Sequence, residues 1–208
     1  SAPQILDPAI HPLQPVLQDN FWLTTHVLTI TLSYAAFLLA LALAHIVLGK
    51  ALLGRDVSSL RPVYSYLYRA IQIGVLLLAT GVVLGAFWAN YSWGRFWDWD
   101  PKETWSLVAL LGYIFLLHGR IAGWWGGFGL AVGSVFSFLA ILMAWYGVNF
   151  VLGVGLHSYG FGTGGLGYVI TFVAVETLFV VAALVRYRLS QHVTKQPASS
   201  GKEAIVAG

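Results

Sequence analysis

The chain has 208 residues, 58% of them hydrophobic and only 9% charged, against about 25% charged in an ordinary soluble domain. So few charges cannot cover a water-facing surface, which excludes a soluble enzyme, a disordered chain and a disulfide scaffold and leaves an integral membrane protein. Cysteine is absent, so thiolate chemistry and iron–sulfur ligation by this chain are excluded too. The net charge of +3 does not point to nucleic acid, because the basic residues sort by membrane side.

Residues 1–22 begin with Pro3, Pro8, Pro12 and Pro15 and read as an extended external arm, with His11 solvated in it. A spanning helix needs about 20 mainly apolar residues. Five stretches supply them, at 23–48, 70–89, 101–120, 129–150 and 167–185. Backbone in lipid must satisfy its own hydrogen bonds, so the expected fold is all-α: a polytopic bundle of about five spans, with the core at 23–185. Gly81/Gly85 and Gly129/Gly133 have the spacing that lets helices approach closely, although chance pairs are common in a chain with 23 glycines. The run Gly162 to Gly167 fits G-x-G-x-x-G on paper, but it follows no strand, so dinucleotide binding is rejected. Residues 186–208 read as a disordered cytoplasmic tail, with His192 solvated.

Orientation follows the distribution of positive charge. Lys50, Arg55, Arg61 and Arg69 lie between the first two spans, Arg120 follows the third, and Arg186, Arg188, Lys195 and Lys202 follow the fifth. Only Arg95 and Lys102 remain for the other side. The N-terminus is therefore expected outside and the C-terminus in the cytoplasm, with 88–100 and 151–166 facing outward.

Residues 88–105 read WANYSWGRFWDWDPKETW and hold Trp88, Trp93, Trp97, Trp99 and Trp105, five of the nine tryptophans. An interfacial aromatic belt places one or two such residues at each helix end, not five in one segment. Asp100, Pro101 and Glu103 spell a helix start: an N-cap, a first-turn proline and the acid of a capping box. The 101–120 helix then spans about 30 Å. The tryptophans before it are expected to lie along the outer surface. With Arg95 and Lys102 as anion partners, they suit a flat, apolar, dianionic ligand, and haem fits that description.

The run WGRFWDWDPKETWSL resembles the tryptophan-rich signature of the haem-handling membrane proteins of cytochrome c maturation. Together with GVNFVLGVGLHSYGFG further on, it most resembles the CcsA type of system II cytochrome c synthase, in order from about residue 20 to 185. CcsA-like proteins carry further helices before this core, so the resemblance implies one part of a larger synthase, or haem lyase. It implies haem b as transported cofactor, and as partners a CcsB-like subunit or fused domain and an apocytochrome c with a C-x-x-C-H motif. The setting is a bacterial cytoplasmic or thylakoid membrane, and nucleic acid has no part.

His26 and His157 fall at the level of the tryptophan segment. Singly, each reads as a polar interfacial residue. Together they read as axial ligands of haem iron, and the resemblance implies the same positions. His118 lies about 20 Å below Trp105. It reads as a snorkelling residue beside Arg120 or, by the resemblance, as a ligand of a second, inner haem. His45 reads as a packed histidine, and Glu176 as protonated or paired within the bundle. Asp98 and Asp100 read as cap and loop-ordering residues. The rival functions are a haem carrier that hands over to a chaperone, and a bis-His b-type cytochrome that has no use for five outer tryptophans.

Overall fold

The computed structural model describes residues 20–157 and 164–195, with backbone only for 192–195. His11, the rest of 1–19 and the ring of His192 lie outside that description. Five long helices follow in order: α1 (Asn20–Leu52), α2 (Arg61–Trp93), α3 (Pro101–Ile121), α4 (Gly127–Leu142) and α5 (Leu166–Lys195). A short 3-10 turn, Ser58–Leu60, precedes α2, and α4 runs on as a π-helix over Met143–Leu152. Strands are absent among the described residues, and all five helices are long and apolar enough to cross a membrane.

Four of the five helices, α3 excepted, exceed the apolar windows at both ends. α1 begins at Asn20, inside the expected arm, and α2 begins at Arg61. Arg61 and Arg69 are therefore helical, because a helix can extend beyond the hydrocarbon slab on polar residues. Trp88 and Trp93 are likewise the last turns of α2, not surface loop; only 94–100 is connection. At the other end α5 carries residues 186–195, which had been assigned to the tail.

Local chemistry sets these boundaries. α2 carries Pro62 in its first turn and stops at Gly94, whose φ of 74° is left-handed and whose N–H bonds Asn90 O at 2.9 Å. α3 starts with the complete capping box expected of Asp100 and Glu103.

In lipid, helices associate by close packing and polar contacts, since apolar burial offers little gain. α1 and α2 form the most extensive pair, and glycines let them meet. A β-carbon at Gly81 would lie 2.6 Å from Ile30 Cδ1, and one at Gly85 2.6 Å from the His26 ring. Phe37 of α1 stacks on Tyr113 of α3 at 3.9 Å in the middle of the core. Gly133 gives α4 the same close approach to Leu116 of α3. α5 is held by one polar clamp, His45 Nε2 to Glu176 Oε2 at 3.0 Å, with the imidazole stacked on Phe179. The pairing expected of Glu176 is thus with His45, a contact of a kind worth about 0.6–2 kcal/mol between membrane helices.

The two ends of the bundle differ in composition. At one end Arg61 and Arg120 line a common pocket, and Arg186 packs beside Gly54. The tryptophan segment and the Gly153–His157 loop occupy the other.

Candidate functional site

At the tryptophan end four chain segments converge. α1 brings His26 a turn and a half into the helix. α2 brings Trp88, the 94–100 link brings Trp97, and the loop after the π-helix brings His157. They enclose a cavity of about 540 Å³, within the ordinary range of about 300–1,000 Å³ for small-molecule sites. Its wall along α1 runs from Leu23 to Leu38, about 22 Å of helix. Tyr34 of α1 and Ser106 of α3 both line it. The π-helix contributes Ala144 and Trp145; such wide turns recur at functional sites.

Both histidines are half-buried and fixed by their Nδ1 atoms. His26 Nδ1 lies 2.8 Å from the carbonyl of Gly81. His157 Nδ1 lies 2.8 Å from Asp100 Oδ2. A carbonyl or an ionised carboxylate can only accept, so in each ring Nδ1 carries the proton and donates, and the Nε2 lone pair is left for a ligand. Trp88, only 1% exposed, contacts both rings: its plane is 7° from that of His26 at 6.0 Å, and it meets His157 at 5.8 Å. Its indole nitrogen is buried without a hydrogen-bond partner among the described residues. Trp93 backs His157 edge-on at 5.1 Å.

Asp100 is the best-connected polar group here. Its side chain, 6% exposed by residue, caps α3 and also accepts from Leu156 N at 2.6 Å. Burial opposes its charge, but the hydrogen bonds it accepts from the His157 ring and from the Lys102 and Leu156 amides outweigh that and hold its carboxyl below the usual range. The loop reaches it through Gly155, whose φ of 100° is left-handed and whose missing side chain would otherwise collide with Asp100 and lie 2.8 Å from Pro101 Cδ.

Of the residues singled out from the sequence, His26, His157, Trp88, Trp97 and Lys102 share the cavity wall. Trp93 stands behind it. Arg95 pairs with Asp98 at 2.7 Å and does not line it. Trp99 is 69% exposed, with a left-handed φ of 59°, and Trp105 packs on the core; neither lines the cavity. His118 lies elsewhere, exposed on α3 with Nδ1 on the carbonyl of Ile114 at 2.9 Å. The carboxylate behind His157 was not foreseen as a partner, although the capping signature had already fixed where Asp100 would sit.

A bare ion takes about four protein donors, and among the described residues no three His, Cys, Asp or Glu side chains gather to hold one. Two imidazoles facing an apolar cavity between tryptophans instead suit a metal whose remaining donors come with a flat macrocycle. The fold and the site define a multi-pass helical membrane protein with a bis-histidine, aromatic-walled cavity at one end. The model of the family described as cytochrome C assembly protein matches residues 4–157, and the chain belongs to that family. It is 38% identical over 187 residues to the cytochrome c biogenesis protein CcsA of Chlorella vulgaris, covering 72% of this chain and 59% of the relative. Against the protein of the same name from Synechococcus sp. (strain CC9902) it is 38% identical over 179 residues, covering 72% and 58%. Against protein NrfI of Wolinella succinogenes it is 42% identical over 166 residues, covering 76% of this chain and 18% of that one. The chain thus spans less than two thirds of the length of each.

Proposed function

We propose that this chain is the haem-presenting core of a system II cytochrome c synthase, with His26 and His157 as the axial ligands of haem b at the tryptophan end. The supporting observation is the matched setting of the two imidazoles. Each is tied through Nδ1 to a protein acceptor, 2.8 Å away in both cases, and both line the same cavity. Trp88 and Trp97 supply apolar walls for the porphyrin. Lys102, on the same wall, supplies positive charge for a propionate.

Haem is the cargo here, and the chain's role is to hold it with both axial positions filled, so that its iron is shielded until delivery. An apocytochrome c then offers its C-x-x-C-H motif. Each thiol adds across a vinyl group, the S–C bond forming as the thiol proton passes to the terminal vinyl carbon, with no net change of oxidation state. The cysteines come from the apocytochrome. The tryptophan end faces outward, the arginine end faces the cytoplasm, and a CcsB-like subunit or fused domain completes the synthase in a bacterial or thylakoid membrane. His118 belongs to a second haem position deeper in the bilayer.

The test is delivery. Purified, haem-loaded protein in its complete synthase is incubated with an apocytochrome peptide bearing C-x-x-C-H, and thioether-bound haem on the peptide is measured. Transfer to the peptide is expected. Haem retained by the chain, with no thioether product, would favour an electron-transfer cytochrome instead.

A further inference from the structure

The two histidines have different supports. His26 rests on a peptide carbonyl, a neutral acceptor carried by α2. His157 rests on a carboxylate that is also the N-cap of α3. On the haem-ligand reading above, we infer that Asp100 is the positioning residue of the site: it sets the tautomer and ring direction of His157 and makes it the more electron-rich of the two ligands.

Three observations support this. First, the carboxylate is held on all sides. Oδ2 accepts from Lys102 N at 3.1 Å and from His157 Nδ1 at 2.8 Å, while Oδ1 accepts from Leu156 N at 2.6 Å. A group so constrained cannot turn away, and it grips both the ring and the backbone of the histidine's own loop. Secondly, the loop is built to reach it. Gly153 ends the π-helix with φ 61°, Gly155 follows with φ 100°, and a side chain at Gly155 would collide with the carboxylate. Thirdly, the ring's aromatic contacts among the described residues are Trp88 and Trp93, which limit tilt but distinguish neither nitrogen. A carboxylate behind a ligating imidazole raises its basicity and favours the oxidised metal, and removing such a partner commonly weakens binding about 10- to 100-fold.

The position also joins two functions. Asp100 caps the start of α3, so any shift of that helix start moves the acceptor of His157. The ligand at this end is thereby tied to the helix that ends near His118.

The experiment uses the haem-loaded synthase and reads the midpoint potential and haem affinity of four proteins: wild type, Asp100→Asn, Gly155→Ala and His157→Ala. Asparagine keeps the N-cap but not the charge, whereas Gly155→Ala leaves both side chains and separates them. Both should raise the potential and weaken haem binding about 10- to 100-fold. A capping role alone would leave the yield of folded Asp100→Asn and the potential of its bound haem at their wild-type values, since asparagine retains the cap. Wild-type potential and affinity in Asp100→Asn and Gly155→Ala, alongside lost ligation in His157→Ala, would overturn this inference and leave the haem reading standing. A wild-type spectrum in His157→Ala would instead overturn the haem reading.

Discussion

At the start of α3, Asp100 accepts hydrogen bonds from Lys102 N of its own helix and from Leu156 N and the His157 ring of the loop after the π-helix. At its far end His118 is exposed and, among the described residues, bonds Ile114 O of its own helix. One end holds its histidine in a preorganised setting with a cavity in front of it, and the other presents a histidine that lines neither that cavity nor the pocket beside Arg61 and Arg120. The contrast shows how a ligand is made. At the tryptophan end the position of a nitrogen is set by a group from a distant part of the chain, whereas at the arginine end the ring is tied to its own helix. On the proposed function, the first site is complete in this chain and the second is shared with the rest of the synthase.

The largest effect should come from the complete site. His26→Ala or His157→Ala is expected to stop assembly of a reporter cytochrome c. Imidazole in the medium should restore it, since the lost function is ligation. Assembly at the wild-type level in both variants would erase the distinction between the two ends.

His118→Ala should act differently. Haem at the tryptophan end falls several-fold when haem arrives from the cytoplasm, and haem supplied from outside restores it better than it restores the His26 and His157 variants. The protein itself should stay folded, an exposed substitution costing under about 0.5 kcal/mol. Normal haem content in His118→Ala, in cells that take up no external haem, would remove the inner position from the account.

A smaller effect separates two neighbouring tryptophans that sequence alone treats alike. Trp97 lines the cavity and Trp99 does not. Trp97→Phe should lower haem retention a few-fold, and Trp99→Phe should leave it unchanged, because phenylalanine keeps interfacial anchoring but loses stacking area and the indole donor. Equal retention in the two variants, read from the haem-to-protein absorbance ratio, would return the segment to an aromatic belt.

The smallest effect lies at the arginine end. Asp56 accepts from the amide and hydroxyl of Ser58 at the turn into α2, and these bonds hold its carboxyl below the usual range. Its folded value is the depressed one, so its contribution is present above the ordinary carboxylate range and disappears as pH falls through the lowered value. Asp56→Asn should therefore match wild type in thermal melts at low pH and fall slightly behind above it.

Much of this was legible in the sequence because bilayer thickness and capping chemistry are strong local rules. Five apolar runs became five helices, and Asp100, Pro101 and Glu103 became the start of α3 with the whole capping box formed. His26 and His157, far apart in the chain, do share a cavity. Hydropathy did not show where helices extend past the slab, so Trp88 and Trp93 turned from surface segment into the last turns of α2. Nor could charge and aromatic content sort the members of the tryptophan segment. Arg95 is occupied by Asp98, three residues on, and Trp99 is exposed by a backbone conformation that no pattern announces. The pairing of Asp100 with His157 and of His45 with Glu176 depends on tertiary packing, which one sequence does not encode locally.

On the proposed function, two imidazoles, one from α1 and one from the loop after the π-helix, ligate one iron at the tryptophan end. Low-temperature electron paramagnetic resonance of the ferric, haem-loaded protein tests it directly. Wild type is expected to give a low-spin signal of two axial imidazoles. His26→Ala and His157→Ala should each convert it to high spin, and added imidazole should return both to low spin. An unchanged bis-imidazole signal in either variant would show that the iron takes that ligand from elsewhere and would contradict the account.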